Sequence, residues 1–304
     1  MANVSTGARI ALKNLLYLTD FSKPSEAALP IAMAIAREYG AKVFALHVLL
    51  PDLYASVTPE MTASLIEAQE EAAKAQMQRI GSELTGVPFE TILVQGSAVW
   101  PALEQAIEKH KIDLIAVGTH GRTGALKFLL GSVAEEIFRR SPVPVVTIGP
   151  SVRGKKEGSA RFDRVLFATD FTLASLAAAA YAISFAQENE AQLILLHVIG
   201  ERERRKDAKR GGLSVAEAMH QLHEIVPPEA ELWCRPETVV EHGEPAERVL
   251  EAADQRRADL IVLGIRDTTH LVAATHIEGT TAHNVVAHAP CPVLTVRNNQ
   301  TQGA

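Results

Sequence analysis

At 304 residues, 47% hydrophobic and 22% charged, the chain has the length of about two globular domains, each able to bury a core. A net charge of -6 and a pI near 6.0 argue against a nucleic-acid binder, which would carry a basic face. Nothing near the N-terminus resembles a signal peptide, and no stretch approaches the ~18 uncharged apolar residues of a membrane span. Cys234 and Cys291 are too few for a disulfide framework or a thiolate zinc site, so the expectation is a cytosolic, reduced protein with no membrane or nucleic-acid partner.

In chain order, the first half predicts a short strand over 15–19 and a helix that Ser22 caps and Gly40 stops. A strand over 42–49, a helix over 58–84 and a strand over 89–95 follow. Next come a helix over 101–110 with proline in its first turn, a strand over 112–118, a helix over 132–140 and a strand over 143–148. Continuous apolar strands separated by helices indicate parallel strands covered on both faces. The expected fold is α/β, a doubly wound five-stranded sheet, most economically in the order 3-2-1-4-5.

The second half repeats the first. "NLLYLTDFS" at 14–22 returns as "RVLFATDFT" at 164–172, and "ALHVL" at 45–49 as "LLHVI" at 195–199. "DLIAVG" at 113–118 returns as "DLIVLG" at 259–264, and "SPVPVVTI" at 141–148 as "APCPVLTV" at 289–296. Four matches in one order identify a tandem duplication, 1–150 and 151–304, joined by a polar linker at 151–163. The short apolar last strands of the two halves are expected to pair with each other, giving an intrachain pseudo-dimer. Association of two whole chains stays open.

Open α/β sheets bind ligands at the carboxyl ends of strands where the winding reverses. That point lies between Thr19-Asp20 and Gly118, where "VGTHGRTGALKFLLGS" begins. This stretch misses both the G-x-G-x-x-G fingerprint and the Gly-Lys-Ser/Thr end of a P-loop. Its physics still suits an anion: Gly118 and Gly121 let backbone N–H groups come close, and Gly131-Ser132 opens a helix whose N–H groups and dipole favour phosphate. Tight turns alone would also explain these glycines. Ser132 and Glu135 fit a capping box.

Gly118-x-x-Gly121, nine residues, then Gly131-Ser132 resembles the G-2x-G-9x-G-S/T signature of the ATP-binding class of the universal stress protein family. "TD" ending the first strand, "HV" ending the second and "SPVPV" leading into the last resemble the same family, over essentially the whole chain. The resemblance implies an adenine nucleotide alpha hydrolase-like fold in each half and ATP, or another adenine nucleotide, held with magnesium. It implies that Thr19 and Asp20 sit by the adenosine, that the Val48 backbone reads the adenine edge, and that Gly118, Thr119, His120, Gly121 and Arg122 surround ribose and phosphates. Gly131, Ser132 and Val133 would take the phosphates.

The residues themselves leave alternatives open. Val48 would be apolar in any buried strand, Asp20 would serve as a helix cap, Arg122 as a solvated charge and His120 as a turn residue. The second half keeps Asp170 and Val198, but Asp267 stands where Gly121 does, and eleven residues separate it from Gly279. A carboxylate and a Cβ there repel and obstruct a phosphate, so this half is expected to bind ATP poorly or not at all. Its histidines fit no zinc spacing, and the run at 201–212 is expected to be a solvated loop.

The favoured function is an ATP-binding stress-response regulator with as yet unidentified protein partners. No base, nucleophile or lysine stands beside the glycine loop in a catalytic pattern, which leaves at most slow ATP turnover as the enzyme alternative. A nucleotide-free interaction module and a flavin- or adenylation-type α/β domain are the others.

Overall fold

The computed structural model describes residues 10–50, 59–119, 130–152, 161–200, 213–229, 234, 236–265 and 280–298. The stretch 153–160 of the linker, the run at 201–212, and the loop residues His120, Gly121, Arg122, Asp267, His270, His276 and Gly279 lie outside them.

The first half runs β1 (Asn14–Leu18), α1 (Lys23–Glu26), α2 (Leu29–Tyr39), β2 (Lys42–Leu49), α3 (Pro59–Glu83) and β3 (Phe89–Gln95). It continues with α4 (Val99–His110), β4 (Leu114–Gly118), α5 (Ser132–Arg140) and β5 (Val145–Ile148). The second half runs β6 (Arg164–Ala168), α6 (Leu173–Leu176), α7 (Ala179–Glu188), β7 (Gln192–Ile199) and α8 (Val215–Ile225). It ends with β8 (Glu237–His242), α9 (Pro245–Gln255), β9 (Leu260–Ile265), α10 (Thr281–His288) and β10 (Val293–Arg297).

Each half has the expected winding, but the two sheets fuse into one of ten strands, ordered β3-β2-β1-β4-β5-β10-β9-β6-β7-β8. Every pairing is parallel except the seam, where β5 meets β10 antiparallel with Val146 opposite Leu294. The seam removes the two edges that short apolar strands would otherwise expose. Two buried hydroxyls bind it: Thr147 Oγ1 donates to the Val293 carbonyl at 3.2 Å, and Thr295 Oγ1 to the Val145 carbonyl at 3.3 Å.

The helix expected from Ser22 to Gly40 is in fact two. Ser22 caps a single turn, α1, by accepting from the Ser25 amide, and α2 begins afresh at Leu29. The break turns the chain over the end of β1, and α2 then ends where Gly40 takes φ 66°, a left-handed value glycine adopts without penalty. On one face of the sheet, α2, α3, α7 and α8 bury Tyr17, Ile35, Met77, Phe185 and Leu222 in a single core shared by both halves. On the other face, α4 covers Leu16, Leu103 and Ile115, while α9 and α10 cover Leu166, Val249 and Val285.

The pseudo-symmetry extends to single hydrogen bonds. Asp113 Oδ2 accepts from the amides of Lys13 and Asn14, and Asp259 Oδ2 does the same for Asp163 and Arg164, so each half launches its first strand from the same carboxylate. Replacing Thr147 by valine removes one seam hydrogen bond at constant shape and is expected to cost about 1 kcal/mol in urea unfolding, as is Thr295→Val. Unchanged midpoints in both variants would show that the hydroxyls contribute nothing to holding the halves together.

Candidate functional site

The reversal of winding leaves a cleft over the carboxyl ends of β1, β2 and β4. It has a volume of about 760 Å³, within the range of small-molecule sites. Eight of the eleven residues singled out in the sequence line it: Thr19, Asp20, Val48, Gly118, Thr119, Gly131, Ser132 and Val133. The other three, His120, Gly121 and Arg122, lie outside the described residues.

The floor of the cleft is the turn between β1 and α1, and it is tightly built. Phe21 takes φ 61°, a conformation rarely adopted by a residue with a side chain. Hydrogen bonds from its neighbours hold it there. Thr19 Oγ1 accepts from the Phe21 amide at 3.0 Å, and Asp20 Oδ1 accepts from the Ser22 amide at 3.0 Å and the Ser22 hydroxyl at 2.5 Å. The His47 ring lies 4.1 Å from the Phe21 ring, and its Nδ1 is 2.8 Å from the Thr19 carbonyl, which fixes that nitrogen as the donor. Beneath the turn, the buried Tyr17 hydroxyl donates to the Ser25 carbonyl at 3.0 Å, and burial pushes its pKa up to about 12. Asp20 therefore does not cap the helix. It holds Ser22, which does.

The second half repeats this turn. Phe171 has φ 59°, Asp170 Oδ1 holds Thr172, and His197 Nδ1 lies 2.9 Å from the Thr169 carbonyl. So the turn belongs to the fold as such.

Gly118 has a similar explanation. A Cβ at this position would lie 2.5 Å from the Pro24 carbonyl oxygen and 3.1 Å from Ser25 Cα, both backbone atoms of α1. Its counterpart Gly264 would place a Cβ 2.1 Å from the Ala174 carbonyl oxygen. The glycine that both halves keep is required by close packing against the first helical turn.

The two halves part company at the helix that follows the glycine loop. The capping box expected of Ser132 and Glu135 is absent: the N-cap is Gly131, with no side-chain cap, and Ser132 is already helical. The reason is the Gly131 amide, which donates to the Thr119 carbonyl at 2.7 Å. This bond ties the ends of the loop together and sets the helix start one residue early. The first helical bond runs from the Glu135 amide to the Gly131 carbonyl, so the amides of Ser132, Val133 and Ala134, residues that line the cleft, precede it. In α10, the residue equivalent to Ser132 by strand register, Thr280, is instead the N-cap, and its hydroxyl accepts from the His283 amide. One helix turns bare donors toward a cleft, and the other satisfies one of its own.

Reading the sequence missed the wall opposite α5. Gln69, Ala72, Ala73 and Gln76 of α3 line the cleft at i, i+3, i+4 and i+7, a spacing visible in the sequence but indistinguishable from an ordinary packing stripe. His47 was read only as the neighbour of Val48. Among the described residues, no three histidine, cysteine or carboxylate side chains gather to hold a metal ion, and no helix is long and apolar enough to cross a membrane.

The fold and cleft thus define a tandem doubly wound α/β protein with a ligand-sized site at the switch point of its first half. The sequence profile of the Universal stress protein family matches residues 11–149 and again 161–297, and the chain belongs to that family. It is 33% identical over 140 residues to Universal stress protein MJ0531 of Methanocaldococcus jannaschii, covering 45% of this chain and 81% of that one. A universal stress protein of Mycolicibacterium smegmatis is 24% identical over 93% of this chain and 96% of its own. The crystal structure of a universal stress protein from Archaeoglobus fulgidus superposes with a TM-score of 0.67 at 22% identity, over 93% of this chain and 98% of that one.

The packing of Gly118 gives a direct test. Gly118→Ala is expected to lower unfolding stability by about 1–3 kcal/mol, because backbone rather than a flexible side chain blocks the Cβ. Gly264→Ala, with the closer approach, is expected to lose at least as much. Stabilities within error of the parent would mean that the α1 and α6 turns yield freely.

Proposed function

We propose that the protein is an adenine-nucleotide-binding regulator of the stress response, with one nucleotide site, in its first domain (1–150), and a degenerate copy in its second (151–304). The observation that carries this reading is the cleft over the winding reversal, closed at one end by the uncapped start of α5. Helix starts of this kind favour anions through their unpaired amides and positive dipole end, so Gly131, Ser132 and Val133 face the phosphates. Gly118, Thr119, His120, Gly121 and Arg122 surround the ribose and phosphates, Arg122 supplying charge-assisted donors. Thr19 and Asp20 lie by the adenosine, and the end of β2 at Val48 presents a backbone edge to adenine.

ATP is the nucleotide we favour. A magnesium ion bound with it would draw its oxygens chiefly from the phosphates, since the described residues gather no three-ligand cluster. The second domain forgoes the site: Asp267 replaces the loop glycine, and Thr280 already satisfies a donor at the start of α10. Nucleotide occupancy then alters which protein partners the chain meets.

Mass spectrometry of small molecules released from freshly purified protein tests the reading, with Gly121→Asp as its partner experiment. An adenine nucleotide is expected in the parent. The variant, which copies the second domain's own substitution, is expected to lose about 100-fold in ATP affinity, ~2.7 kcal/mol, while staying folded. A parent that releases no nucleotide and shows no thermal shift with ATP would favour a nucleotide-free interaction module. Unchanged affinity in the variant would remove the phosphate-loop assignment.

A further inference from the structure

The helix at the cleft is packed by both halves. Ala134 and Phe138, four residues apart on α5, and Leu130 just before its N-cap belong to the same hydrophobic cluster as Leu166, Ile261, Val286 and Val293 of the second half. Only the adjacent stripe of Val133 and Ile137 packs on the first half's own core. The far end of α5 is also held from across the seam. Arg297, the last residue of β10, donates through Nη2 to the Phe138 carbonyl at 3.0 Å and the Arg139 carbonyl at 2.8 Å. These are carbonyls at the end of the helix, which lack intrahelical partners, and a guanidinium there also suits the negative end of the dipole. The His283 ring of α10 meets Phe138 edge-on at 6.4 Å.

The clamp is one-sided. At the equivalent register just past the end of β5 the residue is Gly149, which has no side chain to reach α10; a Cβ there would lie 3.9 Å from the Val286 carbonyl oxygen. The second half thus reaches the end of α5 through an arginine, and the matching position of the first half is a glycine.

We propose that Arg297 is a positioning residue for the first-half site: the degenerate half is kept because it holds α5, and with it the cleft-facing amides, in place. The helix is nine residues, about 13 Å at 1.5 Å per residue, so a tilt or slide at its clamped end displaces its start. The inference rests on reading the cleft as a nucleotide site, but its structural part stands apart from any ligand.

The test is hydrogen exchange on the full nucleotide-free chain, comparing the parent with Arg297→Met, which keeps the aliphatic stem and loses the donors. Exchange is expected to rise on the order of tenfold along the hydrogen-bonded amides of α5, including those nearest its start at 135–136, with β7 and β9 unchanged. Arg297→Lys is expected to restore part of the protection. Phe138→Leu, which trims the same contact without touching charge, is expected to raise exchange over the same residues and guards against general unfolding of the arginine variant. ATP titration of the same proteins is expected to show weaker binding in Arg297→Met than in the parent, with Arg297→Lys between the two. A rise confined to 139–141, or no rise, together with unchanged ATP affinity, would overturn the proposal. A parent that binds no ATP would overturn the nucleotide reading instead, and exchange at 135–136 would then decide the role of Arg297 alone.

Discussion

The antiparallel pairing of β5 with β10 is the constraint on which the rest depends. Each half alone would end in a short, apolar edge strand with one side open. Joined, they make one sheet of ten strands with its two most hydrophobic edges buried at the centre. The same closure brings α5 against the second half's core and Arg297 against the end of α5. A duplicated chain need not then keep two working sites. It needs two working frames, because each frame supplies an interface the other cannot form alone.

What the duplication preserved and what it let drift separate along physical lines. The strained phenylalanine, the aspartate that holds the helix cap, the histidine under the turn and the glycine against α1 or α6 recur in both halves. All of them serve backbone geometry. The features that differ are the second loop glycine and the loop length, both read from the sequence, and the cap of the helix that follows. Glycine at 118 is thus a matter of packing, whereas glycine at 121 is the one whose loss distinguishes the halves.

Much of this was legible in the residues. Strand order followed from apolar runs separated by helices, and the seam followed from two short hydrophobic strands with no other partner. The position of the cleft followed from the winding alone. The split of the first helix was signalled by Pro30, which would sit in the interior of a helix running from Ser22 to Gly40 and instead occupies the first turn of α2. The true cap of α5 was not legible, because the Gly131 amide is claimed by a carbonyl twelve residues earlier that no local rule anticipates. The α3 wall of the cleft has a helical stripe like any other. The reach of Arg297 across the seam is a tertiary fact, with no trace in sequence spacing.

The central claim, that one of two like-folded halves holds a nucleotide, is tested most directly by the stoichiometry of ATP binding to the intact chain. Calorimetric titration with magnesium present is expected to give one equivalent per chain. Two equivalents would contradict the account by giving the second half a working site, and none would contradict it by taking the site from the first.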